Sequence, residues 1–460
     1  MAIQSVIPPL RSLLGTQNVL TDPADCWPYG YDNSRRHGKP DVVVLPTHHD
    51  QVRTVVCLCY EHGIPVVARG RGTGTTGASV PCRGGVVVSL ERMTRIINID
   101  ISNRYAVVEP GITNQAVQDA IGTKGFFWPP DPTSAAFCTI GGNLAFNSAG
   151  PRAVKYGTPR ENVLGLRAVT GTGDEIRTGV YTTKGVVGYD LTRLIIGSEG
   201  TLAVITEATL KLTPLPQAKR TLQAVYSDIR AAAEAVSRIM AQPVTPCALE
   251  FMDGNAINMI RSHSRAVLPQ QAGALLMIEV DGQEACLNDA VEAVNSAAAG
   301  PGLLELKAAA TKKEVDDLWA TRKALSPALR TIAPKKINED VVVPVSHMPD
   351  LIEGLDLLAK KFDIKIINFG HAGNGNIHVN LLVNPDDPNE MKRAETCLDE
   401  VFNLVLRLNG TLSGEHGVGL EKRDFVQREI DPIAMQLMKN LKMLFDPKGI
   451  LNPGKMFPET

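Results

Sequence analysis

Runs of apolar residues alternate with helically periodic stretches along this chain, and the switches between the two patterns mark out its elements. Residues 1–60 read as a short helix, the turn-rich segment Tyr29-Gly-Tyr-Asp-Asn, a strand at Asp41–Leu45 and an apolar-periodic helix at Asp50–His62. Strands follow at Ile64–Ala68, Gly85–Leu90 and Arg104–Glu109, before a short helix at Asn114–Gly122. This β-α-β alternation predicts an α/β layer with polar turns. Pro214-Leu-Pro216 closes the first region, because prolines at near-adjacent positions interrupt both ladder and helix. Beyond it the pattern gives strand Thr221–Tyr226, helix Asp228–Met240, strand Cys247–Met252, a short helix, strand Ala274–Val280, helix Glu284–Ala297, strand Leu303–Leu306 and helix Lys312–Leu329. A strand at Asp340–Val345, a helix ending at Lys361 and a strand at Ile364–Phe369 follow. Tandem β-α-β units predict a ferredoxin-like α+β domain with helices on one face of its sheet. The expected domains are 1–216, 217–410 and a helical C-terminal segment, 411–460, that returns to the first. No repeat of about 20–50 residues is visible.

Composition narrows the function classes. A chain of 460 residues with 44% apolar content supports two or three packed domains, since single cores seldom grow beyond about 250–300 residues. A formal charge of −2 with scattered Lys and Arg offers no basic face, which argues against nucleic acid as a partner. No run approaches the roughly 18 apolar residues of a membrane span. The first residues, Met-Ala-Ile-Gln-Ser-Val-Ile-Pro8-Pro9, lack the charged start and apolar stretch of a signal peptide, so the expected location is cytoplasmic, with peripheral membrane contact through a partner left open. The eight Cys are dispersed, Cys57-x-Cys59 being the closest pair, and read as reduced thiols.

The strand Ile64–Ala68 runs into Arg69-Gly70-Arg71-Gly72-Thr73-Gly74-Thr75-Thr76-Gly77-Ala78. Its Gly72-x-Gly74-x-x-Gly77 has the spacing of a dinucleotide-binding turn, which needs a strand before it and a helix after it. Pro81, Gly84 and Gly85 occupy what would be the helix interior. The phosphate is therefore expected in a loop, where consecutive Gly N–H groups form an anion-binding nest and Arg69 or Arg71 adds charge. A Gly-rich turn between two strands is the plainer alternative. A second candidate wall is Pro129-Pro130-Asp131-Pro132-Thr133-Ser134, followed by Cys138-Thr139-Ile140-Gly141-Gly142-Asn143 and Asn147-Ser148-Ala149-Gly150. Prolines there deny helix, and Gly141-Gly142 lets backbone approach a ligand closely. A third is Gly188-Tyr189-Asp190-Leu191 with Gly197-Ser198-Glu199-Gly200-Thr201-Leu202, entering the strand Val204-Ile205-Thr206.

Taken in this order, Arg-Gly-x-Gly-Thr-Gly, Pro-Pro-Asp-Pro, Cys-Thr-Ile-Gly-Gly-Asn and Gly-Ser-Glu-Gly-Thr-Leu resemble the two-subdomain FAD domain of the vanillyl-alcohol oxidase and p-cresol methylhydroxylase superfamily. The resemblance implies FAD on these loops. Members that attach it covalently often carry His where this chain has Thr73, so a non-covalent flavin is implied.

The most unusual polar cluster is Gly370-His371-Ala372-Gly373-Asn374-Gly375-Asn376-Ile377-His378, and 35 positions after His378 begins Ser413-Gly414-Glu415-His416-Gly417-Val418-Gly419. Two His and one carboxylate make a three-ligand set with a coordination position open, as a catalytic zinc-type site requires. Taken alone, two His seven positions apart fit solvent-exposed histidines equally well. Glu415 and His416 are adjacent and point opposite ways on an extended backbone. Either Glu415 is the ligand and His416 the base, or the reverse; imidazole is the better proton acceptor near neutral pH.

These motifs, with Phe445-Asp-Pro-Lys-Gly-Ile-Leu-Asn452-Pro-Gly-Lys455, resemble the D-2-hydroxy-acid dehydrogenase branch: D-lactate dehydrogenases, the flavin subunit of glycolate oxidase and D-2-hydroxyglutarate dehydrogenases. The resemblance implies His371, His378 and Glu415 as ligands of a divalent ion, commonly zinc, and His416 as base. It also implies Asn452 and Lys455 beside the flavin, Lys455 closing over it. Arg322, after Leu318-Trp319, matches the branch's carboxylate-binding Arg, with an exposed helix residue as the alternative; Lys336 is a second cation. Asn374 departs from the branch's usual Asp, which bears on metal preference. The implied mechanism has the ion bind the substrate hydroxyl and one carboxylate oxygen, His416 take the proton, and the C2 hydride pass to flavin N5, giving a 2-oxo acid. A quinone, a cytochrome or an electron-transfer flavoprotein would reoxidise the flavin, and a homodimer is compatible with the sequence. A metal-dependent hydrolase and a non-catalytic flavin-binding module are the alternative readings.

Overall fold

A computed structural model describes residues 2–261 and 269–458 of the chain. They form two compact units, the first Met1–Ala149, Gly157–Leu215 and Glu415–Thr460, the second Gly150–Tyr156 and Pro216–Gly414. Two short segments depart from the expected boundaries, and each has a local tie. Tyr156 donates its hydroxyl to Asp281 (2.8 Å), and Gly414 donates its N–H to the Asp340 carboxylate (2.9 Å).

The first unit has two layers of its own. Val42–Val44, Val86–Ser89 and Val66–Arg69 pair in parallel, with Val19–Leu20 added antiparallel at the edge. Their near-continuous valine runs suit strands covered on both faces, and Val42, Val44, Val66, Val86 and Val88 lie in one buried cluster with Val52, Val55 and Val56 of helix His49–His62. The other sheet is antiparallel, in the order Ile96–Asp100, Tyr105–Val108, Ala203–Lys211, Val163–Thr170, Glu175–Gly179. Glu175–Gly179 gives no apolar signal because it is an edge strand whose alternate residues are exposed.

The stretch after Cys138, to which the sequence pattern assigns no element, contains the helix Ile140–Phe146. The Thr139 hydroxyl caps it by accepting the Gly142 N–H (3.2 Å), and Asn147 ends it in the left-handed conformation (φ 55). Gly141 is there for closeness rather than for bending, since a Cβ would lie 2.6 Å from Pro110 Cβ.

The second unit is built on a seven-stranded antiparallel sheet, ordered Leu303–Ala308, Ala218–Tyr226, Ala274–Gly282, Ala248–Asp253, Lys365–His371, Asn376–Val383, Lys335–Val342. Helices cover both faces, not one as expected. Lys312–Ile332 puts Leu318, Leu325 and Leu329 into a cluster with Val225, Met252, Met277 and Phe369. Tyr226, on the opposite face from Val225, donates its hydroxyl to the Ala298 carbonyl of helix Glu284–Ala298 (2.7 Å). The strand expected at Asp340–Val345 runs from Lys335 to Val342, and Asn376–Val383 forms a fully buried strand within the His-rich cluster.

Candidate active site

Antiparallel register places the polar cluster on one face of this sheet. Glu250 lies opposite His371, Phe369 opposite His378, and Asp340 opposite His378, and directly paired residues share a face. His371 ends its strand and His378 sits early in the next. The turn between them depends on Gly375 (φ 69), where a Cβ would meet the Val343 carbonyl oxygen at 1.9 Å. The two imidazoles stand edge to face with centroids 5.2 Å apart. Asp340, buried, accepts the Ser413 hydroxyl (3.1 Å) as well as the Gly414 N–H. This tether delivers Glu415: ligand atoms of His371, His378 and Glu415 all lie within 4.8 Å of one another.

That donor set fits a divalent ion. Atoms bonded to one zinc at about 2.1 Å in tetrahedral geometry stand about 3.4 Å apart, so the ligand atoms would draw together by up to about 1.4 Å around an ion. Two neutral imidazoles and a carboxylate suit zinc-type ions better than the all-oxygen shells of calcium or magnesium. Asn374 is the exposed residue of the turn, whereas Asn376 is buried and donates to the Val341 carbonyl (3.1 Å).

Arg322 is buried, at 6% exposure, which removes the exposed-helix alternative. Its Nε donates to Glu250 Oε2 (2.6 Å), its guanidinium carbon stands 4.9 Å from the Phe369 ring centroid, and Glu250 Oε1 lies 2.6 Å from His371 Nδ1. Burial pushes the Glu250 carboxyl up, but the charges and hydrogen bonds of His371 and Arg322 outweigh it and hold the group below its usual range. Glu250 escaped the sequence reading. The available signal was a carboxylate set between Leu249 and Phe251 in strand Ala248–Asp253. Lys336 lies within a strand and donates to the Ser326 hydroxyl (2.9 Å).

The flavin candidates other than Gly150 belong to the first unit. Residues 70–85 form a loop, as expected from Pro81 and the glycines. Gly72 (φ 64) and Gly77 (φ 77) are left-handed, and a Cβ on Gly70 would fall 2.4 Å from Thr139 Oγ1. Arg69 is turned inward beneath the loop, donating to the Pro28 carbonyl (3.2 Å) and Ser79 (3.4 Å); burial pulls its guanidinium pKa down although Asp32 opposes this. Arg71 is exposed. Thr75 Oγ1 is buried with no hydrogen-bond partner in the protein. A backbone cradle with an unsatisfied hydroxyl fits a polyanionic cofactor.

The C-terminal residues sew these loops together. Asn452 Nδ2 donates to the carbonyls of Ala78 (2.8 Å) and Glu199 (2.7 Å), and the buried Lys455 ammonium donates to Val80 (2.7 Å) and Asn452 Oδ1 (3.2 Å). The Pro130 carbonyl accepts from Asn114, which also donates to Asn143 (3.0 and 3.1 Å), and the Asp131 N–H bonds the Ala149 carbonyl (2.7 Å). Glu199, itself left-handed (φ 53), accepts the N–H groups of Val418 (2.5 Å) and Gly419 (2.8 Å), and Thr76 donates its hydroxyl to the His416 carbonyl (3.3 Å). Burial raises the Glu199 carboxyl despite those two donors.

The tightness of this cradle makes a test. In Gly72→Ala the methyl would meet Arg69 Nη2 at 2.2 Å on a left-handed backbone. At about 1–2 kcal/mol for that conformation, FAD is expected to bind about 5–30-fold more weakly by fluorescence titration. An unchanged dissociation constant would mean that the loop does not form the flavin site.

A family model for an FAD binding domain matches residues 40–179, and one for the C-terminal domain of FAD linked oxidases matches residues 215–456. The glycolate oxidase subunit GlcD of Bacillus subtilis (strain 168) is 39% identical over 99% of this chain and 97% of its own length. A D-lactate dehydrogenase of Anaerostipes hadrus is 35% identical over 93% of this chain and 92% of its own. Among solved structures, p-cresol methylhydroxylase with substrate bound superposes with a TM-score of 0.80 at 19% identity, covering 99% of this chain and 96% of that one. Alkyldihydroxyacetonephosphate synthase gives 0.76 at 21%, covering 98% and 86%. The fold is thus that of the superfamily the loops resembled, and the chain belongs to the FAD linked oxidases.

Proposed function

We propose that this chain oxidises a D-2-hydroxy acid, such as D-lactate, glycolate or D-2-hydroxyglutarate, to the 2-oxo acid with FAD as hydride acceptor. The observation that carries the reading is a buried arginine and two facing imidazoles on one sheet face, in an FAD linked oxidase whose relatives are named for glycolate and D-lactate. Non-covalent FAD would lie on residues 69–75, Gly77, Ala78, residues 130–134, Cys138, Thr139, Gly141, Gly142, Asn143, Asn147, Gly150, Gly200, Val204, Ile205, Asn452 and Lys455. His371, His378 and Glu415 would hold a divalent ion, zinc being the best match to the donors. When bound, the ion polarises the substrate hydroxyl and the flavin accepts a hydride. Arg322 holds the substrate carboxylate, with Lys336 as a second cation, and His416 takes the hydroxyl proton. A quinone, a cytochrome or an electron-transfer flavoprotein would reoxidise the enzyme. A hydrolase using the same imidazoles and carboxylate would leave the FAD binding domain without a task.

The primary test is flavin bleaching by a panel of D- and L-2-hydroxy acids in FAD- and zinc-replete protein, with an artificial dye as acceptor. Bleaching by none of them rejects the proposal. Arg322→Lys should then separate the role of the guanidinium from that of its charge. A single ammonium cannot both satisfy Glu250 and present a fork to a carboxylate. Losing a charged hydrogen bond costs about 1.5–3 kcal/mol, or about 10–150-fold in kcat/KM. Single-turnover flavin reduction that matches wild type would remove Arg322 from the substrate site.

A further inference from the structure

Glu250 is committed twice. Its strand lies inside the seven-stranded sheet, 1% of the residue is exposed, and each carboxylate oxygen has one partner at 2.6 Å: Arg322 Nε on one side and His371 Nδ1 on the other. The backbone ladder that sets Glu250 opposite His371 holds this geometry independently of the side chains. A carboxylate only accepts hydrogen bonds, so His371 carries a proton on Nδ1, and the neutral ring that can bind an ion has its lone pair on Nε2. On the other side, taking the Nε–H leaves the two terminal nitrogens of Arg322 to form a fork.

We infer that Glu250 is a positioning residue that couples the two halves of the site, setting at once the imidazole tautomer His371 offers an ion and the plane in which Arg322 meets a carboxylate. This rests on the proposed roles of His371 and Arg322. It goes beyond them by making the sites interdependent: disturbing Arg322 reaches the ion site through Glu250 even when no substrate is present. A buried ion pair that only stabilised the sheet would lower the melting temperature without linking the two.

The test uses full-length flavoprotein stripped of metal and titrated with zinc against a chromophoric chelator. Glu250→Gln should weaken zinc about 10–100-fold, the usual scale for losing the carboxylate behind a ligand histidine. Arg322→Lys should also shift zinc affinity, and that shift should vanish in the Glu250→Gln background, because a coupled pair is not additive. Zinc binding that is wild-type in Glu250→Gln, or strictly additive in the double variant, overturns the inference and leaves the site assignment standing. A wild-type chain that takes up no zinc overturns both. Should Glu250→Gln fail to fold, nitrogen NMR of histidine-labelled wild type decides. The inference requires a protonated Nδ1 on His371 with and without zinc, and an Nδ1 that lacks its proton in the metal-free protein overturns it.

Discussion

Replacing His416 with alanine is expected to slow flavin reduction by a 2-hydroxy acid about 10²–10⁴-fold, the contribution of a positioned general base, while FAD stays bound. The backbone of its loop is held by groups the substitution leaves in place. Thr76 donates to the carbonyl of residue 416, Leu420 donates its N–H to the Thr76 carbonyl (2.8 Å), and Glu199 holds Val418 and Gly419. The imidazole can therefore be removed without releasing the loop. Glu415, rather than His416, belongs to the group of ligand atoms within 4.8 Å, which favours the split in which the carboxylate binds the ion and the imidazole moves the proton. Single-turnover reduction separates this step from the unidentified acceptor. A rate above half the wild-type value would exclude His416 as base and bring back the reverse assignment.

What the sequence made legible depended on whether the physical signal was local. The glycine loop without a following helix could be read from Pro81, Gly84 and Gly85, because backbone preference is a property of single residues. The His pair could be read from its glycines, and Gly375 does make the turn. Other features were masked by competing local signals. Gly141-Gly142 lowers helix propensity, yet the Thr139 cap and close packing on Pro110 impose a helix on Ile140–Phe146. The strand Asn376–Val383 carries His378 and Asn380 among its apolar residues, so its alternation reads as a polar cluster until both neighbours pair with it. The helix Pro388–Arg407 did carry a start signal, Asp387 capping ahead of Pro388. Glu250 was hardest to see. Its partners lie 72 and 121 positions away, and only register on a folded sheet brings them together.

Removing divalent ions with a chelator is expected to abolish flavin reduction by substrate while leaving the flavin absorbance bands in place. None of the proposed ion ligands His371, His378 and Glu415 is among the residues proposed to hold FAD, so the ion and the flavin have separate protein ligands. The fold of the ion site does not wait on the ion. Cross-strand pairing sets His371 and His378, and Asp340 holds Ser413 and Gly414 through hydrogen bonds of its own. Stripped protein should therefore keep its melting profile to within the binding energy of the metal and recover activity when zinc, manganese or cobalt is returned. Imidazole and carboxylate must be deprotonated to coordinate, so activity should also fall as pH is lowered, and excess metal should shift that fall to lower pH. Protons compete with the ion for the same lone pairs, whereas a pH effect on substrate ionisation would be indifferent to metal concentration. Full turnover in protein whose metal content is confirmed as nil would show that the ion is not catalytic here.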